Sequence, residues 1–231
     1  MTRNRRFRLL DLFVLAASAP IWVPVMAICA AAVAIGSGRP VFFRQERVGR
    51  DGAAFQVLKF RSMRMSDRPE APSAATITGV GAVLRRTSLD ELPQLLNVLR
   101  GEMSLVGPRP MLPRQVAALS CGQERRHLVR PGHTGLAQVS GRNSIPWAQR
   151  LALDVQWATS ATPRDYFRII ATTFGVVATG QGVDGNDADD PFVRLVYAHD
   201  HAQDDAAVPV APVLRLDAPE RSGQQVERIA A

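Results

Sequence analysis

From Leu9 to Ile35 the chain carries a single charge, Asp11, while Arg3, Arg5, Arg6 and Arg8 lie before this run and Arg39, Arg44, Arg47 and Arg50 after it. A membrane-crossing helix needs about 20 apolar residues, and the run is long enough. A secretory signal would have a shorter apolar core and a small-residue cleavage site. Two features argue against a crossing. Pro20 and Pro24 interrupt the middle, and each removes a helical hydrogen bond. Both flanks are also basic, and basic flanks stay in the cytoplasm. Broken near Pro20, the segment gives halves of about 16 Å and 24 Å, each short of the roughly 30 Å hydrocarbon core. The pattern predicts a re-entrant helix–break–helix over residues 1–38, with Ser18 and Pro20 at the break, entering and leaving by the cytoplasmic face. One kinked spanning helix is the alternative, since membrane helices tolerate proline.

Past Gly36–Pro40 the periodicity changes. Val41-Phe42-Phe43 and Phe55 to Phe60 read as short strands joined by an Arg50-Asp51-Gly52 turn. Residues 66–75 are polar and proline-rich, hence a surface loop, and Thr78–Arg86 suits a short helix. Ser88-x-x-Glu91 is a capping-box pattern. It predicts a helix through Leu92, Leu95, Leu96, Val98 and Leu99 that stops at Gly101. Met103–Val106 suits a strand, Leu112–Val129 a helix, and Arg130–Asn143 a glycine-punctuated loop. Trp147–Ala158 is amphipathic, with Leu151, Val155 and Ala158 on one face, and a last helix runs from Pro163 to about Ala178. Asp184, Asp187, Asp189 and Asp190 form an acidic loop, and the Ala-, Pro-, Asp- and Gln-rich stretch 199–231 reads as a disordered tail. The expected fold is helix-rich α+β: a membrane anchor (1–38) and a small cytoplasmic domain (39–198) with short strands and interfacial amphipathic helices.

Charge narrows the partners. The net charge is +7, and Lys59 is the only lysine. A basic balance suits nucleic acid, an anionic membrane surface or a phosphorylated substrate. Interleaved aromatics and helix-turn-helix or zinc-finger spacings are missing, which argues against nucleic acid. The two cysteines, Cys29 and Cys121, do not suggest a disulfide framework, so the domain should face a reducing compartment.

The candidate chemistry centres on Asp90 and Glu91. As a cap, Asp90 would meet the helix dipole favourably, worth about 0.3–1 kcal/mol. As a site, the helix start and nearby arginines would lower its pKa and keep it ionised as a nucleophile. Glu91 beside it could share a hard divalent cation with substrate phosphates, as Mg²⁺ prefers. The residues alone leave both readings open. Arg109 lies between Pro108 and Pro110 after Gly107, a rigid mount for a guanidinium that binds phosphate or carboxylate. Lys59, Arg85 and Arg86 are further basic candidates. In the Arg130–Asn143 loop, glycines free backbone N–H groups for an anion, and Thr134, Gln138, Arg142 and Asn143 add donors. His133 reads as an ordinary loop residue. His199-Asp200-His201 lacks a positioned third ligand for a metal.

Taken in order, these segments resemble a known family. The pattern comprises the basic N-terminus and proline-broken apolar run, Lys59-Phe60-Arg61-Ser62-Met63, Thr87-Ser88-Leu89-Asp90-Glu91-Leu92-Pro93-Gln94, Met103 through Pro110, and the Arg130–Asn143 loop. It is similar to the monotopic phosphoglycosyl transferases, the polyprenyl-phosphate hexose-1-phosphate transferases of bacteria, over roughly Arg5 to Gly180. The chain looks like the minimal catalytic form. The resemblance implies transfer of sugar-1-phosphate from a UDP-sugar to undecaprenyl phosphate, releasing UMP, as the first membrane step of polysaccharide or glycoconjugate assembly. Asp90 would be the nucleophile that forms a covalent phosphosugar intermediate, and Glu91 the second member of the dyad, helping to hold Mg²⁺. Lys59, Arg85 and Arg109 would bind diphosphate or lipid phosphate. The loop residues Arg130, Thr134, Gln138, Arg142 and Asn143 would contact the nucleotide. The implied location is the cytoplasmic face of the bacterial inner membrane, among membrane lipids, with oligomeric state open and a homodimer included. Two departures stand out. Ala19 occupies the serine position of the usual Ser-Pro break, and Gln156-Trp157 stands where tyrosines are usual, which bears on sugar choice.

Overall fold

The computed structural model describes residues 3–64, 77–141, 144–179 and 192–193. The expected loop at 66–75, Arg142, Asn143, the acidic loop and the tail lie outside the described residues.

The apolar run forms one helix, α1 (Arg3–Ser37), whose helical assignment continues through Pro20 and Pro24. The expected interruption near Pro20 is therefore not a change of secondary structure. Proline keeps a helix-compatible φ while removing a donor and kinking the ladder. Side chains bind the carbonyls just upstream: Ser18 Oγ donates to the Val14 carbonyl at 2.7 Å, and Trp22 Nε1 to that of Leu15 at 3.0 Å.

The strands form two small sheets. β1 (Phe42–Val48) and β2 (Ala54–Phe60) make an antiparallel hairpin, with Phe42 opposite Phe60 and Val48 opposite Ala54. The turn falls where expected, at Arg50–Gly52. After α2 (Gly79–Arg86), which Thr78 caps through its side chain, a short 3₁₀ turn (Leu89–Glu91) leads into α3 (Gln94–Arg100). Gly101 ends α3 at φ 83°, a left-handed conformation that favours glycine. β3 (Ser104–Val106) pairs in parallel with β4 (Gly132–Thr134), so the expected Arg130–Asn143 loop contains a strand and a helical turn, α5 (Leu136–Val139). The region 112–129 is not one helix. It holds only α4 (Pro113–Ala117) and a 3₁₀ stretch (Gln123–Leu128), because Gly122 at φ 91° breaks the run. The domain closes with α6 (Trp147–Ser160) and α7 (Pro163–Thr179).

Two apolar clusters hold these pieces together, and α1 contributes to both. Phe7 and Leu15 pack with Leu95, Val98, Met103, Trp157, Tyr166 and Ile169, and Phe7 stacks on Trp157 and Tyr166 with ring centroids 5.6 and 5.8 Å apart. Cys29 and Val33 pack with Phe60 and Leu84. Leu92, next to Glu91, touches both clusters. Asp11 is 1% exposed. Its Oδ1 accepts from Leu105 N–H (2.9 Å), Ser104 Oγ (3.0 Å) and Tyr166 Oη (2.8 Å), tying α1 to β3 and α7. The remaining faces of α1 are bare of protein: Phe13, Ile21, Ile28 and Ile35 are exposed. By length and composition α1 could cross a membrane, and its outward apolar side suits a membrane-anchored domain.

Candidate active site

Local structure around Asp90 departs from the expected capping box. Ser88 sits in the left-handed region at φ 57° and makes no side-chain cap bond, and α3 starts only at Gln94. Glu91 does not reach back to the backbone of Ser88. Its Oε1 instead accepts from Lys59 Nζ at 2.7 Å and from Arg109 Nη2 at 2.9 Å. Two bonds from cationic donors outcompete one from a neutral backbone amide.

Three devices bring these groups together. Asn97, fully buried on α3, accepts from Leu58 N–H at 3.0 Å and donates to the Gln56 carbonyl at 2.7 Å. This sets β2 against α3 and so places Lys59 beside Glu91. The second device is the proline mount that carries Arg109. The third is the near contact of Gly107 and Gly132. A Cβ on Gly132 would lie 2.0 Å from the Gly107 nitrogen, so β3 and β4 can approach only without a side chain there. Gly107 N–H donates to Thr134 at 2.8 Å across that contact.

The two carboxylates are driven apart electrostatically. Burial works to raise the pKa of Glu91, but Arg109, then Lys59 and His133, outweigh it and hold the carboxyl well below its ordinary range. For Asp90, burial first and the negative Glu91 second push the pKa up, against the pull of Lys59 and Arg85. This is opposite to the lowered pKa expected for Asp90 from a helix start and nearby arginines. The expectation fails because no helix begins at Asp90 and the close ion pairs go to Glu91. Asp90 itself makes no salt bridge among the described residues. A carboxylate pair split in this way assigns different tasks to its members.

Beside the pair lies an open cleft of about 450 Å³ including solvent, lined by Ser88, Glu91, Arg109, His133, Thr134 and Gln138, with Thr173 of α7 among the remaining wall residues. Thr134 Oγ1 and Thr173 Oγ1 are 2.8 Å apart. Both polar atoms of the Gln138 amide are buried without a partner. Arg85 is exposed at the end of α2, within electrostatic reach of Asp90. Arg130 is not brought to the cleft. Its Nε donates to the Gly101 carbonyl at 2.7 Å, and it lines a smaller cavity with Asn4, Phe7, Arg8 and Asp11 on the α1 side. The reason is the β3–β4 pairing, which fixes Pro131 and Gly132 and turns Arg130 toward the end of α3. His133, an ordinary loop residue by sequence, faces Glu91, and burial lowers the pKa of its imidazole against the pull of that carboxylate. No local motif signals His133, Asn97 or Thr173; their roles arise from tertiary contact.

For a metal, the donors at hand are Asp90 and Glu91. Among the described residues no cluster of three His, Cys, Asp or Glu exists. With Glu91 Oε1 engaged by two cations, the set fits a hard ion that takes one or two carboxylates and fills its shell with water and phosphate oxygens.

The family model for bacterial sugar transferases matches residues 3–180. The chain is 42% identical over 156 residues to the uncharacterized sugar transferase EpsL of Bacillus subtilis, covering 66% of this chain and 77% of that one. It is 36% identical over 191 residues to the exopolysaccharide production protein ExoY of Rhizobium meliloti, covering 73% and 84%. It is 39% identical over 188 residues to the UDP-glucose:undecaprenyl-phosphate glucose-1-phosphate transferase of Caulobacter vibrioides, covering 75% and 70%. The chain belongs to the bacterial sugar transferase family. It is an enzyme of the phosphoglycosyl transferase class.

Proposed function

We propose that the protein moves a sugar-1-phosphate from a UDP-sugar to undecaprenyl phosphate at the cytoplasmic face of the bacterial cell membrane. The observation that carries this reading is the Lys59–Glu91–Arg109 ion cluster, next in sequence to Asp90, with Glu91 and Arg109 lining a cleft; Asp90 makes no salt bridge among the described residues. The Caulobacter relative is named for this chemistry with UDP-glucose. A carboxylate oxygen of Asp90 attacks the sugar-bearing phosphorus, forming an acyl phosphate and breaking the bridging P–O bond, so that UMP leaves. An oxygen of undecaprenyl phosphate then attacks the same phosphorus and expels the Asp90 carboxylate. One phosphoanhydride-level bond replaces another, so catalysis rests on positioning and charge neutralisation. Arg109, 57% exposed at its side chain, is free to bind phosphate oxygens while it touches Glu91. Asp90, with Glu91, would hold Mg²⁺ together with the diphosphate, and the ion would neutralise charge on the transferring phosphoryl group. Incubation with undecaprenyl phosphate and a panel of UDP-sugars, reading UMP, is expected to show lipid-dependent release with at least one donor. Absence of UMP with every donor would sink the proposal.

The re-entrant reading of the anchor belongs to the same proposal. A crossing helix separates its ends by the thickness of the bilayer. Here the two ends of α1 meet one domain: Arg8 donates to the Val98 and Leu99 carbonyls, while Ser37 bonds Thr78 and its carbonyl accepts from Arg61. Single cysteines placed at Thr2 and Gly38 are expected to react with an impermeant reagent from the same side of inside-out vesicles. Labelling from opposite sides would refute the topology.

A further inference from the structure

Pro108 and Pro110 have no N–H to donate, so beyond the Gly107 N–H bond to Thr134 the backbone of this mount is held largely through carbonyls. Four successive carbonyls are held by four different donors. Pro108 accepts from Gly132 N–H at 2.8 Å, Arg109 from Arg126 Nη2 at 2.7 Å, Pro110 from Arg47 Nη1 at 3.2 Å, and Met111 from Val48 N–H at 2.9 Å. The donor on Arg109 itself stands apart because it is a deeply buried charge. Arg126 is 2% exposed at its side chain, and the same Nη2 that binds the Arg109 carbonyl donates to Asp154 Oδ2 at 2.6 Å, with Asp154 5% exposed.

This arrangement is a poor way to stabilise a fold. A buried ion pair does little better than a well-packed apolar pair of similar volume, since both charges lose their water. The penalty is larger here, because Arg126 Nε and Asp154 Oδ1 are buried without partners. An apolar pair linking the 3₁₀ stretch to α6 could fill the space, but it could not present a planar charged donor to the Arg109 carbonyl.

We infer that Arg126, held by Asp154, is a positioning residue that fixes the backbone of Arg109 and so the angle at which its guanidinium meets Glu91 and the substrate phosphate. The inference rests on the phosphoryl-transfer role of Arg109 proposed above. Neither Arg126 nor Asp154 lines the cleft, so their effect passes through Arg109. A misplacement of about 1 Å at such a group can cost about a hundredfold in rate.

The test is a double-mutant cycle on UMP release in the full-length, membrane-embedded protein. Arg126→Lys and the near-isosteric Asp154→Asn, each in the wild-type and Arg109→Ala backgrounds, are expected to lower kcat about 10- to 100-fold when Arg109 is present. KM for the UDP-sugar should change less than threefold. Once Arg109 is alanine, the further loss should be under twofold, because the group being positioned has gone. If Arg126→Lys does not accumulate, Asp154→Asn carries the same cycle. A loss that multiplies with that of Arg109→Ala would mean a general structural role and overturn this inference alone. Full turnover by Arg109→Ala itself would overturn the role of Arg109 and the inference with it.

Discussion

Asp90→Asn is expected to lower UMP release by at least about a thousandfold, the scale on which a covalent nucleophile is lost. The substitution keeps the shape of the side chain and should leave the fold intact, since Asp90 forms no salt bridge among the described residues. A protein that used its arginines only to bind lipid would tolerate the change. Wild-type enzyme quenched with labelled UDP-sugar should carry a phosphosugar on the peptide containing Asp90. A quench without adduct would point to direct attack by the lipid phosphate. The pH profile gives a second handle. Asp90 must be ionised to attack, and burial together with Glu91 raises its pKa. The acid limb of kcat/KM should therefore lie above that of an unperturbed aspartate, with activity falling as pH drops through it. Glu91→Gln removes the negative neighbour and frees the positive charge of Lys59 and Arg109 to act on Asp90. Both changes favour the carboxylate, so the acid limb should move to lower pH. An unmoved limb would show that Asp90 is not the group titrating there.

The second large effect concerns Asp11. Asp11→Ala removes the acceptor for Leu105 N–H, Ser104 Oγ and Tyr166 Oη at a site with almost no solvent. A buried polar group left unsatisfied costs about 1–3 kcal/mol. The two hydroxyls can turn partly toward other acceptors, but the amide cannot, so the sum should be about 3–5 kcal/mol. Against a typical total of about 5–15 kcal/mol, such a loss should sharply reduce the folded fraction. Asp11→Asn keeps an acceptor at Oδ1 and should cost clearly less. Thermal unfolding of the three proteins in one detergent checks the order. An Asp11→Ala midpoint matching wild type would refute the role of this residue in docking α1.

What was readable in the sequence follows from how local each cause is. The hairpin turn at Arg50–Gly52, the end of α3 at Gly101 and the start of α7 at Pro163 all depend on backbone preferences of the residues concerned, and all were legible. The capping box at Ser88 was misread for the opposite reason. Serine and glutamate at that spacing can bond each other, but Glu91 is captured by Lys59 and Arg109, 32 and 18 positions away. The direction of the Asp90 pKa failed with it. Arg130 was misplaced because a glycine-rich stretch reads as a loop until its parallel partner, Ser104–Val106, is known. Asp154 stood on a helix whose apolar face was recognised, yet its burial depends on Arg126, which no periodicity reveals.

The packing of α1 has a consequence for how the enzyme can be handled and how it can change. Phe7, Leu15, Cys29 and Val33 are interior residues of the catalytic domain, while Phe13, Ile21 and Ile28 on the same helix face outward. The helix is thus a wall of the enzyme, not a tether to it. A fragment beginning at Arg39 would be a domain with its interior laid open, and it should aggregate instead of becoming a soluble catalyst. Leu92, next to Glu91, packs against both clusters to which α1 contributes, so lipid or detergent on the outer side of α1 bears on the packing beside the Asp90–Glu91 pair. The lipid around this protein is in effect part of its solvent of folding, and a change of bilayer is a mutation of the surroundings of its active site.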